Sequence, residues 1–276
     1  MIFIEILKVI LIGLVEGITE WLPISSTGHM ILLDEIIRLK VSSEFLELFL
    51  VVIQLGAILA VPVLFWKRLN PFVRSKVERS QKLVLWAKVL VGAVPAAILG
   101  LLLDDLLDKY FYNYLVVASS LIIYGIAFVF VEKSRAERKY KIDTVDALSF
   151  TDSLKIGAFQ TLSLVPGTSR SGSTILGGML LGVSREASAE FSFFMAIPIM
   201  LGASGLKIVK FLIEGFSASL EEIILLVIGM SVSFLVSLLV IRFLMDFVKR
   251  HDFRLFGYYR IALGILVLIC FFAKRY

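Results

Sequence analysis

The stretch Glu16-Gly-Ile-Thr-Glu20-Trp-Leu-Pro23-Ile-Ser-Ser-Thr-Gly-His29 places carboxylates, hydroxyls and an imidazole among apolar residues. A second stretch of the same kind, Pro166-Gly-Thr-Ser-Arg170-Ser-Gly-Ser173, follows in the second half of the chain. Polar groups in apolar surroundings cost several kcal/mol each unless they are hydrogen-bonded or used. The two stretches are therefore the predicted functional centre, and each interrupts an apolar region that would otherwise be one helix.

The composition is that of a membrane protein. Hydrophobic residues make up 59% of the chain and the mean hydropathy is +0.93, whereas soluble domains are about 45–50% apolar. The net charge of +5 comes from basic residues in short loops between apolar runs, which argues against nucleic acid as a partner. The single cysteine excludes an internal disulfide and a cysteine-based metal site.

Apolar runs long enough to span a bilayer of about 30 Å as helices occur six times, at about 46–66, 84–103, 114–131, 190–212, 223–245 and 256–273. Two further apolar regions, about 2–39 and 154–182, are broken at Pro23 and Pro166. Their short halves predict re-entrant helical hairpins, although about 2–22 is also long enough to span alone. The predicted fold is an all-α polytopic membrane protein with about six full spans plus two re-entrant helical hairpins.

Basic loops orient this fold. The loops after the first and third spans are rich in Lys and Arg, which the positive-inside rule places in the cytoplasm; the predicted connection at 104–113 is acidic. If the second broken region returns to its starting side, the basic residues after the fifth span also face the cytoplasm. The basic residues concerned are Lys67, Arg68, Arg74, Lys76, Arg79, Lys82, Lys133, Arg135, Arg138, Lys139, Lys141, Lys249, Arg250 and Arg254.

An internal repeat is predicted within a single membrane domain of residues 1–276. Glu47 and Glu190 each lie 24 residues beyond Pro23 and Pro166, respectively. The repeats, 1–131 and 148–276, would each hold one hairpin and three spans. An odd number of spans inverts the second repeat relative to the first, which brings the two hairpin tips together.

The residues at the two tips suit phosphoryl chemistry. Glu16 and Glu20 share one helix face, and Ser26 is a candidate nucleophile with His29 or Glu20 as its base. Arg170 and the hydroxyl-rich turns resemble an anion cradle at two helix N-termini, with Ser26 or Thr27 as the predicted N-cap. The two glutamates could instead hold a divalent cation, Mg²⁺ or Ca²⁺. The predicted phosphate-binding residues are Ser25, Thr27, Thr168, Ser169, Arg170 and Ser171.

Both stretches closely resemble the signature motifs of the undecaprenyl-diphosphate phosphatase family, bacterial membrane enzymes linked to bacitracin resistance. The similarity extends to Val51-Val52-Ile53-Gln54-Leu55-Gly56 and Gly182-Val183-Ser184-Arg185. It implies hydrolysis of the lipid carrier's diphosphate to the monophosphate and inorganic phosphate, in the bacterial cytoplasmic membrane, at a site opening to the outer face. The matching site residues are Glu16, Glu20, Ser26, Thr27, His29, Ser169 and Arg170. Thr168 stands where some members have an aromatic residue.

The rival interpretation is an inverted-repeat transporter or flippase for an anionic lipid carrier, since broken helices also build such proteins. A transporter needs the anion cradle but no nucleophile and base. The expected partners are a polyprenyl diphosphate lipid and the membrane. The oligomeric state is open, with a homodimer as one expectation, and no organic cofactor is expected.

Overall fold

The computed structural model describes residues 2–135 and 140–273. In those ranges the regular structure is helical, and one isolated parallel bridge pairs Ile142 with Val183. The predicted all-α class is confirmed. The helices are α1 (Ile2–Thr19), α2 (Ser26–Ile36), α3 (Ser43–Leu64), α4 (Trp66–Leu69), α5 (Lys76–Phe111), α6 (Tyr114–Arg135), α7 (Phe150–Gln160), α8 (Arg170–Leu181), α9 (Arg185–Ile213), α10 (Leu220–Arg250) and α11 (Arg254–Ala273), with short 3₁₀ turns at Val145–Ala147 and Thr161–Leu164.

Six of these helices, α3, α5, α6, α9, α10 and α11, are long and apolar enough to cross a membrane. They coincide with the six predicted apolar runs, so the six spans are confirmed and the chain is a multi-pass membrane protein. The segments that qualify are Ser43–Leu64, Lys76–Leu103, Tyr114–Ser134, Arg185–Ile213, Leu220–Arg250 and Arg254–Ala273.

Helix α5 extends beyond both ends of the predicted run at 84–103, from Lys76 to Phe111. Its connection to α6 is only residues 112–113, so the prediction of a loop at 104–113 is wrong. No proline or glycine interrupts the last eleven residues of the helix, so the backbone has no reason to leave the helical conformation where the apolar run ends.

The first broken region ends beside its own beginning. The helical backbone is interrupted between α1 and α2, at residues 20–25, as Pro23 predicts. Beyond α2, the Lys40 amide donates to Glu5 Oε2 at 3.0 Å, and Lys8 Nζ donates to the Arg38 carbonyl at 2.6 Å. The two ends of the region are therefore in contact, and its assignment as a re-entrant hairpin stays a prediction.

The second broken region behaves in the same way. The Lys141 amide donates to the Gly182 carbonyl at 2.8 Å, and the Ser184 amide donates to the Ile142 carbonyl at 2.8 Å. The chain thus enters α7 and leaves α8 at the same place. The depth of either hairpin in a bilayer stays a prediction.

Helices from the first half of the chain pack against helices from the second half. Helix α1 packs along α10 and α7 packs along α5. Helix α3 packs along α9, and α6 packs along α11. Close approach depends on glycine: a Cβ at Gly56 would overlap the carbonyl of Met230, and one at Gly157 would overlap the carbonyl of Gly92. The repeats 1–131 and 148–276 and their inverted relation stay predictions.

Three chain segments meet at one end of the helix bundle. The Glu132 carboxylate near the end of α6 pairs with Arg185 at the start of α9 and accepts a hydrogen bond from the Phe253 amide before α11. The basic residues at the junction of α10 and α11 therefore lie at the end of the bundle where α6 ends and α5 begins. Arg138 and Lys139 lie outside the described residues. That this end faces the cytoplasm stays a prediction.

Candidate active site

The two hairpin tips have the same local backbone. Ser25 and Ser169 have φ angles of 74° and 71° and are the positive-φ residues other than glycine in the described ranges. Each caps the helix that follows, since its side chain accepts a hydrogen bond from the amide of Gly28 or Gly172. Left-handed backbone at a non-glycine residue costs roughly 1–3 kcal/mol and persists where the surroundings enforce it, often at functional sites.

This geometry corrects the predicted cap. The sequence predicts Ser26 or Thr27 as the N-cap, but Ser25 holds that position and Ser26 is the first residue of α2. Arg170 is the first residue of α8 in the same way. A left-handed turn at a serine comes immediately before each helix. The candidate nucleophile Ser26 and Arg170 are therefore the first residues of their helices and occupy equivalent positions in the two halves.

Glu20 joins the two tips. Its Oε2 accepts a hydrogen bond from Ser26 Oγ at 2.9 Å, and its Oε1 accepts one from Arg170 Nη2 at 3.0 Å. Both members of the Glu20–Arg170 ion pair are about nine-tenths buried. The carboxylate therefore connects the hydroxyl of the first tip to the guanidinium of the second, and the predicted meeting of these residues is observed.

The guanidinium of Arg170 is held on three sides. Its Nη1 donates to the Ser192 carbonyl at 2.8 Å and to Ser192 Oγ at 3.3 Å, and the group lies 5.5 Å from the centre of the Trp21 ring. Its Nε is buried and has no hydrogen-bond partner among the described residues. Arg170 thus has a fixed orientation, and two of its five N–H donors, on Nε and Nη2, are left for an anion.

Two of the predicted phosphate-binding residues are buried at the junction of the tips. Ser171 Oγ reaches the carbonyls of Glu20 and Leu22, each at 3.2 Å, and has no exposed surface. Thr168 is also buried, and its carbonyl accepts a hydrogen bond from Arg260. Both residues tie the tips together in this arrangement, and their contact with phosphate stays a prediction.

His29 is turned away from the serine. Its Nδ1 lies 2.7 Å from the Ser25 carbonyl and its Nε2 lies 2.7 Å from the Tyr259 hydroxyl. If Nδ1 donates to that carbonyl, Nε2 accepts from the tyrosine, and neither nitrogen is free. Ser26 is hydrogen-bonded to Glu20 instead, so the geometry favours Glu20 over His29 as the group that takes the serine proton.

A cavity of about 370 Å³ opens beside this cluster. Glu16, Ser26 and Thr27 line one part of it, and the carboxylate of Glu16 has a buried oxygen, Oε1, without a protein partner. The remaining lining residues are Met30, Ile31, Leu50, Val51, Gln54, Tyr112, Asn113 and Tyr114. The cavity combines a polar end beside the tips with apolar walls, which suits a charged head on an apolar chain.

Sequence reasoning missed Arg260 in α11. This residue is fully buried, and it donates to the carbonyls of Pro23 (3.1 Å), Gly167 (2.9 Å) and Thr168 (2.9 Å), one from the first tip and two from the second. It forms no ion pair with a carboxylate in the described ranges. The signal was available, because an arginine inside a membrane span is by default a functional candidate.

Glu16 and Glu20 fit a cation only in part. The described residues contain no group of three or more His, Cys, Asp or Glu side chains that could hold a metal. Both oxygens of Glu20 are engaged, whereas Glu16 Oε1 is free. Mg²⁺ is commonly held by one or two carboxylates together with substrate phosphates, so these two residues suit a cation that arrives with a diphosphate.

The sequence matches the protein family described as Bacitracin resistance protein BacA over residues 9–266. The chain belongs to the BacA family. It is similar to three curated proteins named undecaprenyl-diphosphatase: that of Enterococcus faecalis is 55% identical over 273 residues, covering 97% of both chains. The proteins of Desulfitobacterium hafniense (51% identical, 99% of both chains) and Acetivibrio thermocellus (53% identical, 98% of this chain and 99% of the relative) are similarly close.

The BacA match includes both hairpin tips and Arg260. Every residue placed at the site above therefore lies inside the part of the chain that carries the family relationship.

Proposed function

We propose that this chain is an undecaprenyl-diphosphatase, a membrane hydrolase that converts undecaprenyl diphosphate to undecaprenyl phosphate and inorganic phosphate. The observation that carries the proposal is the hydrogen-bonded series Ser26–Glu20–Arg170, a hydroxyl nucleophile, a carboxylate and a phosphate-binding fork in contact at the junction of two hairpins. The names of the relatives support the same activity. The product is the lipid carrier that cell-wall synthesis reuses, and its regeneration gives bacitracin resistance.

In the first chemical step, Ser26 Oγ attacks the terminal phosphorus. The new O–P bond forms as the bridging P–O bond breaks, the serine proton passes to Glu20 Oε2, and the lipid monophosphate leaves. In the second step water attacks the phosphoserine, inorganic phosphate leaves, and the proton returns to Ser26. Glu20 serves as base in the first half and as proton donor to the serine in the second.

Arg170 stabilises the charge on the transferred phosphoryl group. Its Nε is free, and its Nη groups are already oriented by Glu20 and Ser192, so little reorganisation is needed as charge develops. The first-turn amides of α2 and α8, beside the hydroxyls of Thr27 and Ser169, add hydrogen-bond donors that carry partial positive charge.

A divalent cation is part of the proposal as an accessory to substrate binding. Glu16 would hold Mg²⁺ or Ca²⁺ against the diphosphate, where the cation would offset the negative charge of the phosphates. Glu20 would join Glu16 as a ligand only in place of its bonds to Ser26 and Arg170. Glu16 Oε1 is the protein oxygen free to do so.

A lipid transporter would use the same anion cradle, but it has no use for a serine bonded to a buried carboxylate, so that alternative is not favoured. We further propose that the protein resides in the bacterial cytoplasmic membrane and that the site opens to the outer face, as the resemblance to the undecaprenyl-diphosphate phosphatase family implies. Association as a homodimer stays a prediction.

The proposed nucleophile predicts a covalent intermediate. Purified protein incubated with long-chain isoprenyl diphosphate, ³²P-labelled at the terminal phosphate, is expected to release labelled inorganic phosphate and to yield an acid-stable phosphoprotein on rapid quenching. Ser26→Ala should abolish both signals, whereas Ser134→Ala, at an exposed hydroxyl of α6, should change neither. An acid-labile label that survives Ser26→Ala would indicate phosphohistidine and would assign the nucleophile to His29.

Arg260 is proposed as a positioning residue. Arg260→Lys keeps the charge but replaces a fork that reaches both tips by a single ammonium, so the tips lose part of their connection. We expect kcat to fall by about 10- to 100-fold, the loss of one or two charge-assisted hydrogen bonds, with a smaller change in KM. Steady-state kinetics and the melting temperature in detergent measure these effects, with Arg254→Lys as the matched control in the exposed first turn of the same helix. An unchanged kcat would remove Arg260 from this role.

A further inference from the structure

A second cavity, of about 810 Å³, lies at the other end of α5 from the candidate active site. The 36 residues of α5 correspond to roughly 54 Å of helix. This cavity is lined by its first turns, whereas the cavity beside the tips is lined by Tyr112 and Asn113, which follow its last turn. The cavity is lined by five basic side chains, Lys67, Arg68, Lys76, Lys82 and Lys88, and by two acidic ones, Glu78 and Asp146.

The positive charge of this cavity is only partly neutralised by the protein. Lys82 pairs with Glu78 at 2.8 Å, and Arg68 pairs with Asp146 and with Glu190, each at 3.2 Å. Lys67 and Lys76, at the rim, form no ion pair in the described ranges. Two of the five cationic groups, Lys82 and Arg68, therefore share three carboxylates, and the fifth, Lys88, lies deeper.

Lys88 is a buried ammonium without a carboxylate partner in the part of the chain that the structure describes. Its exposed fraction is 8%, equal to that of Lys82, and Nζ donates to the backbone carbonyl of Asp146 at 2.8 Å. A buried cation without a counter-charge costs several kcal/mol. Its position in a cavity lined by other cations indicates that an anion completes the site.

The surroundings indicate what kind of anion enters. Val77 and Val84 line the cavity, and both are exposed, at 70% and 41%. The segment that leads into α5 carries the exposed aromatic residues Trp66 and Phe72, which are typical of the membrane interface. A free anion would gain nothing from this apolar rim, whereas a lipid headgroup brings acyl chains that would cover it.

We propose that this cavity binds the phosphate headgroup of an anionic glycerophospholipid, with Lys82 and Lys88 at its floor and Lys67 and Lys76 at its rim. Basic cavities between membrane helices recognise such headgroups elsewhere. The lipid is a resident of the leaflet and not the diphosphate substrate, so the proposal is independent of the hydrolysis argued above.

The test uses full-length protein, stripped of lipid in detergent and titrated separately with phosphatidylglycerol, phosphatidylcholine and inorganic phosphate. Native mass spectrometry counts the bound lipid, and the melting temperature follows stabilisation. We expect phosphatidylglycerol to bind and to raise the melting temperature, and the other two to do neither. Equal retention of phosphatidylcholine would overturn recognition of charge, and equal stabilisation by inorganic phosphate would overturn the lipid in favour of a small-anion site.

The variant Lys82→Met/Lys88→Met removes the two buried ammonium groups and should weaken phosphatidylglycerol binding by at least about 10-fold. Its lipid-free melting temperature should equal or exceed that of the unmodified protein. Replacing the uncompensated ammonium of Lys88 removes a desolvation cost, and the Glu78 carboxylate that loses Lys82 is half exposed and stays solvated. Lys133→Met/Lys249→Met deletes two exposed charges at the same end of the bundle and is expected to bind the lipid normally.

The rim variant Lys67→Gln/Lys76→Gln covers the case in which the buried variant does not fold. Both side chains are exposed, so this protein should fold and should bind phosphatidylglycerol more weakly than the Lys133/Lys249 control does. If the rim variant and the control lose binding equally, the attraction is a general effect of surface charge and the proposed site is wrong.

Discussion

Glu20→Gln is expected to lower kcat for diphosphate hydrolysis by about 1,000-fold, within the range that a general base contributes. The substitution preserves the shape of the side chain, but the amide has no negative charge and cannot take the proton of Ser26. It also leaves the buried guanidinium of Arg170 without its counter-ion. One change therefore removes the base and loosens the phosphate-binding group.

Initial rates of phosphate release from a long-chain isoprenyl diphosphate measure this loss. Glu47→Gln is the matched control, because that carboxylate is exposed and pairs with Lys207 at the protein surface; its kcat should stay within about two-fold, as is usual for surface sites. Size-exclusion profiles of both variants establish that they fold. If Glu20→Gln keeps more than a tenth of the activity, Glu20 is not the base, and His29 becomes the candidate.

Arg170→Lys is expected to lower kcat by about 100- to 1,000-fold, the usual cost of losing a positioned donor to a developing negative charge. The guanidinium uses Nη1 for Ser192, Nη2 for Glu20 and keeps Nε for the substrate. A lysine has one ammonium on a flexible stem, which cannot occupy three directions at once. The effect should fall mainly on kcat, because the lost donor acts on charge that develops in the transition state.

Arg242→Lys is the control for this change, since Arg242 is an exposed arginine on α10. The double variant Glu20→Gln/Arg170→Lys supplies a second measurement. Because the two residues form one hydrogen-bonded unit, their losses should combine to much less than the product of the single effects. Near-normal turnover of Arg170→Lys, or fully multiplicative losses in the double variant, would contradict the proposal that Glu20 and Arg170 act as one unit.

The fold was largely predictable because bilayer thickness imposes a length on every span. Each of the six apolar runs became a helix of the required length, and Pro23 and Pro166 marked the two breaks. The ends of α5 were not predictable from hydropathy, because helix propensity continues the helix through polar residues after the apolar run has ended.

At the site, the pairing of the two tips followed from the repeat, but their details did not. A left-handed turn is usually signalled by glycine, so Ser25 and Ser169 gave no sign of theirs. His29 lies three residues from Ser26 in sequence, yet its ring is fixed by Tyr259 from the last helix. Contacts between residues so distant in the chain cannot be predicted from local spacing. Length and hydropathy identify the last span but do not single out Arg260 within it.

The attachment of both tips to α11 also bears on how the protein is made. Tyr259 and Arg260 belong to the last described helix, so they are synthesised after Glu20, Ser26 and Arg170. A nascent chain halted after α10 holds the reacting groups but lacks the residues that fasten their backbone. Phosphate release should therefore begin only once synthesis has delivered the final helix, which gives the cell a built-in check that only finished molecules act on the lipid carrier.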